Sequence, residues 1–502
     1  MIDTKALRQK ILDMAIRGKL VPQDPNDEPA SVLLERIRAE KQQLIKEDKN
    51  KKDKNDSVIF KGDDNRYYEK VGSEVKDITD EIDLECPRNW TFVRLRDLIE
   101  LISGRDLLPT QYNSDKIGIP YITGASNLLN ERIIINRWTD TPSVVSHKGD
   151  LLITCKGTIG EMVFNNIGDI HIARQIMSIR CIGANSLFIM LVLKYYVSQL
   201  QSGAKSFIPG ISRDDILKLS FIMPPLAEQT RIVNRVEELF EQVDIIEQNQ
   251  ADIDTLYDEF RKRTLTLAIQ GKLVPQDPND EPASVLLERI RAEKKAKLGK
   301  KYVDSYIYKG DDNCYYEKVK DSAKEISEEI PFEIPEGWRW IRVDNLFQHN
   351  TGKALNSSNS QGVLHPYITT SNVCWGQFSL DRIKEMLFTQ DEFAKYSITP
   401  GDLLVCEGGD IGRAAIWEND ISMCIQNHIH RLRAYYPVCT QFYYFAFFVY
   451  KSIGLIGGKG IGIQGVSSGA LGKLIFPLPP LGEQERIVKQ VEIILENLKD
   501  EG

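Results

Sequence analysis

The sequence predicts two divergent globular domains held apart by two long antiparallel helices, in a circular layout with approximate two-fold symmetry. Three observations predict it. The block GKLVPQDPNDEPASVLLERIRAEK stands at Gly18–Lys41 and returns unchanged at Gly271–Lys294, half a chain away. Such a period lies far beyond the roughly 20–50 residues of solenoid and propeller repeats, so the chain is an internal duplication rather than a repeat array. A long apolar seam fills the middle of the chain, and its second copy is divided between the two termini.

The copies can be walked in parallel. IFKGDDNRYYEKV (Ile59–Val71) returns as IYKGDDNCYYEKV (Ile307–Val319). Trp90, Val93 and Arg94 return as Trp338, Ile341 and Arg342, and Ser103-Gly104-Arg105 as Thr351-Gly352-Lys353. PYITGASN (Pro120–Asn127) is echoed by PYITTSN (Pro366–Asn372), and GDLLITCKGTIG (Gly149–Gly160) by GDLLVCEGGDIG (Gly401–Gly412). PPLAEQTRIVNRVEEL (Pro224–Leu239) matches PPLGEQERIVKQVEII (Pro479–Ile494). Between these islands the halves differ in loop length and in residue identity. Fixed connectors around diverging domains suggest one scaffold carrying two readers of different targets. A gene conversion confined to the connectors is the bland alternative, and it does not exclude that reading.

The layout expected is a conserved helical segment (1–41), a charged connector (42–87), a first domain (88–223) and a long helix with the repeat block (224–294). A second connector (295–337), a second domain (338–480) and a C-terminal helix (481–502) follow. In the long helix the seam runs Ile232, Val236, Leu239, Val243, Ile246, Gln250, Ile253, Tyr257, Phe260, Thr264 and Leu267. Steps of four and three alternate throughout, the repeat of a coiled coil. Pro224-Pro225 bars extension backwards and Gly271 closes the far end. Of the second copy, Ile487, Val491, Ile494 and Leu498 keep the spacing at the C-terminus, while Leu7–Leu20 aligns with Phe260–Leu273. The chain reads as a circle opened inside one of two equivalent helices, with its ends expected close together.

At 502 residues and 42% apolar content there is core enough for several domains. No run of eighteen apolar residues occurs and Met1–Leu20 is amphipathic, so a soluble, unexported protein is expected. The aromatic run Phe442–Tyr450 reads as a buried helix. Eight Cys without CxxC spacing point to a reducing cytoplasm and away from a zinc site. The Lys-rich stretches Lys41–Lys54 and Lys294–Lys301 read as solvated helix ends or flexible connectors, with a DNA-touching strip as the lesser reading. Net charge is −8, yet the two domains carry 15 Lys and Arg against 11 Asp and Glu, and 12 against 10. Acidity therefore belongs to the scaffold, and the domains are the plausible DNA-facing surface.

No catalytic constellation is present. There is no GxxxxGK[ST] phosphate loop and no [DNS]PP[YFW] motif beside a glycine-rich strand. His428 and His430 align with Gln175 and Met177 and lack further ligands, which disfavours a metal. Gly460–Gly465 matches GxGxxG, but its counterpart Lys205–Gly210 lost the glycines and the strand–turn–helix context is missing. What recurs in both domains is a set of polar, Gly-containing loops, whose turns let backbone approach phosphate and whose side chains suit base edges. The candidates for DNA contact in the first domain are Arg105, Thr123, Ser126, Asn127, Lys156, Thr158, Arg174, Gln175, Lys205 and Arg213. In the second they are Lys353, Thr369, Ser371, Asn372, Asp410, Arg413, Gln426, Asn427, His428, His430 and Lys459.

On PPLAEQTRIV and PPLGEQERIV, the AIRGKLVPQ and AIQGKLVPQ segments (Ala15–Gln23, Ala268–Gln276) and the GDLL…GxIG islands, the chain resembles a specificity subunit of type I restriction–modification enzymes over essentially its whole length. The resemblance implies an α+β protein: two mixed α/β target recognition domains separated by two conserved antiparallel helices. Each domain would read half of a bipartite, asymmetric site in double-stranded DNA, and the helices would set the gap. It implies partners that carry the chemistry: two methyltransferase subunits with S-adenosylmethionine, methylating adenine, and motor–nuclease subunits using ATP and Mg. This chain would be non-catalytic, bear no cofactor and work in a prokaryotic cytoplasm. The charged connectors depart from the family's pattern. Three other readings stand beside it: a degenerate fused methyltransferase, a coiled-coil adaptor presenting two domains that bind no DNA, and a specificity subunit of a stand-alone adenine methyltransferase.

Overall fold

The computed structural model describes residues 2–47, 57–81, 85–129, 132–203, 210–355, 361–456 and 467–500. Two compact units divide the chain, Met1–Ala251 and Asp252–Gly502. Each holds one mixed α/β recognition domain, and the long helix Leu226–Ile269 lies between the two domains in the chain.

In the first unit the helix Thr4–Ile16 starts at Asp3, whose carboxylate accepts the Ala6 amide at 2.9 Å, an N-cap that satisfies one of the orphan donors of the first turn. It stops where Gly18 turns at φ +66°, close against the Trp90 ring. Its inner residues Ile11, Leu12, Ala15 and Ile16 share one core with Ile232, Val233 and Val236 of the long helix. The two helices run antiparallel: Arg8 pairs with Asp244 and Glu247, and the Ile2 carbonyl accepts from Gln250 at 3.4 Å. In the repeat block, Asp27 grips Arg231 at 2.6 Å and the helix Ala30–Glu47 buries Leu33, Leu34 and Ile37.

The charged connector is folded where described. Ser57–Lys61, Tyr67–Val71 and Glu74–Asp77 form an antiparallel meander. Tyr67 meets Phe92 edge-on at 4.7 Å, and buried Glu69 pairs with Arg94 at 2.8 Å and Arg96 at 2.7 Å. Those guanidiniums hold the Glu69 carboxyl below its usual range against the opposing effect of burial, which is the largest single influence. The second unit repeats the arrangement with Ser305–Lys309, Tyr315–Val319 and Ser322–Glu325, and Glu317 pairs with Arg342 at 2.8 Å.

Two four-stranded sheets build the first recognition domain. One is antiparallel, in the order Met162–Phe164, Leu151–Thr154, Ile176–Cys181, Ile99–Ser103. The other runs Val145–Ser146, Ile170–Ile172, Ile119–Ile122, Trp138–Thr139, with its middle pair parallel. Leu152 points between the sheets into a core with Ile122, Val163, Ile172 and Ile176. Leu151 and Ile153 point the other way, into the core shared with Phe188 and Leu193 of the helix Ser186–Gly203. Burial on both faces is why the GDLLIT island is continuously apolar rather than alternating. Thr91–Arg94 pairs with Ser220–Met223, joining the ends of the stretch.

The second unit repeats this topology. Its antiparallel sheet is Ala414–Ile416, Leu403–Cys406, Ile429–Ala434, Phe347–Thr351. Its second sheet is Lys384–Phe388, Val363–Ile368, Met423–Ile425, Ser397–Ile398, again with a parallel middle pair. The aromatic run lies in the buried helix Thr440–Ser452, as the sequence suggested, with Phe442, Tyr443, Phe447 and Tyr450 almost fully enclosed. The C-terminal helix Leu481–Asp500 places Ile487 and Val491 in one core with Leu265, Ala268 and Ile269.

The seam of the long helix differs from a strict four–three repeat. After Glu228 and Gln229 in its first turn, the helix buries Ile232, Val233, Val236 and Val243 at one end and Thr264, Leu265, Ala268 and Ile269 at the other. Ile253 and Phe260, expected inside the seam, are 60% and 44% exposed. The helices sharing its cores have 13 and 20 residues, too few to line all 44 of its own. Among the described residues no helix is long and apolar enough to cross a membrane.

Candidate nucleic-acid interface

At one end of the first domain, four loops are knit together by backbone hydrogen bonds. Gly104 donates to the Ile176 carbonyl at 3.1 Å, Arg105 to Ile172 at 2.9 Å, Ala173 to Ile122 at 2.9 Å and Cys155 to Gln175 at 2.8 Å. The second domain makes the same four bonds with different residues: Gly352 to Ile429, Lys353 to Ile425, Gln426 to Ile368 and Glu407 to His428, at 2.9 to 3.1 Å. Glycine is required at the crossing. A Cβ on Gly104 would sit 2.0 Å from the Ala173 carbonyl oxygen, and one on Gly352 would sit 2.2 Å from that of Ile425. The outer turn of the GDLL island bends through Gly157 at φ +77° in one domain and Gly409 at φ +73° in the other.

The first cluster brings several predicted residues to the surface. Arg105, Ser126, Lys156, Thr158, Arg174 and Gln175 are all exposed. Gln175 lies over Gly124, its amide oxygen where a side chain on that glycine would begin. Arg174 is tied to Asp106, whose carboxylate accepts the Arg174 amide at 3.1 Å and pairs with its Nε at 2.7 Å. Arg213 is exposed, but its guanidinium donates to the Leu101 carbonyl at 2.6 Å, which holds it against the sheet rather than outward. In the second cluster Ser371 and His428 are exposed, and Gln426 and Asn427 are half-buried.

Other candidates are structural, which corrects the sequence reading. Asn127 is fully buried: its side-chain oxygen accepts from the amide and hydroxyl of Thr123, and its side-chain nitrogen donates to Ile134. Asn372 does the same for buried Thr369, so these four residues fix a turn and present nothing to a base. Lys353 is 6% exposed and donates to the Leu387 carbonyl at 2.8 Å and to Glu392 at 2.6 Å. That bond from Lys353 holds the Glu392 carboxyl below its usual range. His430 is fully buried, 2.8 Å from His349, where the first domain has Leu101 and Met177. Asp410 is engaged by Trp375 at 3.2 Å and Lys451 at 3.1 Å, and Arg413 by the Thr370 carbonyl at 2.7 Å. Lys205, Lys459 and the GxGxxG stretch Gly460–Gly465 lie outside the described residues. No group of three or more His, Cys, Asp or Glu that could hold a metal ion gathers among the described residues. Asp106, Glu392 and His349 were missed from the sequence, since nothing local marks them as partners of residues far along the chain.

The family described as the type I restriction modification DNA specificity domain matches residues 87–255 and 335–500. The type I restriction enzyme EcoAI specificity subunit of Escherichia coli is 28% identical, over 98% of this chain and 89% of that protein. The EcoEI specificity subunit, also of Escherichia coli, is 27% identical over 82% of this chain and 74% of its own length. A solved structure concerned with complex assembly and conformational transition of the type I R-M system shares the fold. It has a TM-score of 0.54 and 18% identity, over 83% of this chain and 92% of that one. Matched in both halves and over its length, this chain belongs to the specificity subunits of type I restriction–modification systems and carries two of their recognition domains.

Proposed function

We propose that each recognition domain lays its loop cluster against one half of a bipartite, asymmetric site in double-stranded DNA. The observation that carries this reading is the pairing of identical backbone bonds with different outward side chains. The same four hydrogen bonds hold Arg174 and Gln175 in one domain and Asn427 and His428 in the other. A fixed backbone with exchangeable donors and acceptors is what reading two different sets of base edges requires. The positive balance of both domains against an acidic scaffold favours an anionic partner.

The rest of the complex is proposed on the family's behaviour. Two methyltransferase subunits bearing S-adenosylmethionine methylate adenine, and motor–nuclease subunits supply ATP- and Mg-dependent translocation and cleavage. This chain docks them, is non-catalytic, carries no cofactor and works in the cytoplasm of a prokaryote. The long helix sets the gap between half-sites. The test is to replace residues 88–223 with the equivalent domain of another such subunit and map methylated adenines across the host genome. One half of the methylated motif should change while the other half and the gap stay. A change in both halves, or the absence of any bipartite motif, would overturn the reading.

A further inference from the structure

We infer that Arg174 reads a guanine in the half-site of the first domain, and that Asp106 is the positioning residue that aims it. The inference deepens the DNA-reading proposal above and rests on it. Arg174 stands at the end of the parallel strand Ile170–Ile172, in the loop whose neighbours Ala173 and Gln175 are fixed to Ile122 and Cys155. Its own amide is fixed by the Asp106 carboxylate at 3.1 Å, so the residue cannot swing with its loop.

The guanidinium is paired with the same carboxylate. The second Asp106 oxygen lies 2.7 Å from Nε, and the Arg174 side chain remains 69% exposed. Neither Nη atom has a hydrogen-bond partner among the described residues. The Nε edge of the planar fork therefore faces a carboxylate while two parallel N–H groups face solvent. Bidentate donation of that kind matches guanine O6 and N7, the pair of acceptors the major groove offers only at G. As an ion pair between exposed groups, Arg174–Asp106 contributes little to stability. Its effect is to restrict the rotamers of a long side chain before binding, so less ordering is left for the complex.

Arg174 is unlike the other exposed cations of the cluster, for neither Arg105 nor Lys156 is paired with a carboxylate among the described residues. The second domain lacks the device. Asn427 replaces Arg174 and Ala354 replaces Asp106, so the assignment is one-sided and concerns the first half-site alone.

The experiment uses the full chain with its own modification subunits. The methylated motif is first mapped in the host. Binding to duplexes substituted at each base pair of that motif is then measured for the native chain, Arg174→Ala and Asp106→Ala. Native discrimination at one guanine of the first half-site should be roughly 5- to 150-fold, as expected for a bidentate pair. Arg174→Ala should abolish discrimination at that position alone. Asp106→Ala should reduce it while leaving affinity for the substituted duplexes unchanged, which a merely structural role would not do.

A first half-site without guanine, or equal weakening on every duplex by Arg174→Ala, would overturn the inference and leave the DNA-reading proposal standing. Absence of a bipartite motif in the native host would instead remove that proposal. Should either variant bind no duplex at all, its melting curve decides. A native-like curve with all binding lost contradicts single-base reading, and a collapsed curve contradicts the surface placement on which the inference stands.

Discussion

Trp90 donates its indole N–H to the Glu228 carboxylate at 3.0 Å, and both side chains are buried, 5% and 1% exposed. The bond ties the first turn of the long helix to the start of the recognition domain. Trp338 and Glu483 repeat it at 2.9 Å, but Gln276 also donates to Glu483 at 2.6 Å. Glu228 Oε1 has no partner among the described residues. Burial pushes both carboxyls above their usual range, with the indole bond pulling back.

Glu228→Gln keeps an acceptor for the indole and removes the buried charge. A raised carboxyl pKa means the stabilisation is complete below the unfolded value and is lost as pH climbs through the folded one. The variant should therefore gain about 1 kcal/mol at pH 7 to 8 and nothing near pH 3. Glu483→Gln must give up one of two donors and should not gain. Thermal unfolding at the two pH values checks this, and equal gains at both sites would deny any role to the orphaned oxygen.

Asp97 offers a sharper pH dependence. It is 5% exposed, and burial pushes its pKa up to about 6 despite the nearby Arg38, Arg96 and Lys41. The first unit thus loses stability as pH rises from the ordinary carboxylate range through 6. At the matching position the second unit has Asn345, which accepts from Lys294 at 2.6 Å and donates to Ser305 at 2.8 Å. Asp97→Asn should stabilise by about 1–3 kcal/mol at pH 7.5 and leave stability unchanged below pH 4. A gain independent of pH would point to packing instead.

Arg105 and Lys353 occupy equivalent places with opposite consequences. Lys353→Ala removes the bonds to Glu392 and to the Leu387 carbonyl and should cost about 2–3 kcal/mol of stability. Arg105→Ala removes an exposed cation and should change stability by less than about 0.5 kcal/mol. Its signature should be a shallower salt dependence of DNA binding, by about one unit in the log–log slope. Chemical unfolding and a salt titration separate the two.

Four residues inserted between Ile246 and Phe260 should lengthen the helix by about 6 Å. At about 3.4 Å per base pair, the gap between half-sites should grow by one or two base pairs. Methylome mapping reads the gap directly, and an unchanged gap would refute the helix as its ruler.

Much of this was legible beforehand. The helix from Leu226 to Ile269 stops where Pro225 and Gly271 said it would, and the aromatic run at Phe442–Tyr450 became an enclosed helix. The candidate site was legible only as loops. Asn127, Asn372 and His430 have side chains suited to base edges, yet each spends its hydrogen bonds inside the fold. The same residue type fixes a turn or faces a ligand depending on depth alone. Nothing local to Glu69 or Glu317 marks Arg94 or Arg342 as its partner, since each lies 25 positions further along the chain.

By itself the sequence determined the duplication, the islands shared by the two copies, and the ends of the long helix. Identity between copies, apolar spacing, proline and glycine all act along the chain. Only the tertiary structure decided which polar groups face outward. Lys353 is neutralised by a residue 39 positions away, Arg174 is aimed by one 68 away, and His430 is enclosed by one 81 away. Such partnerships arise when sheets fold loops together, and nothing local to either partner records them.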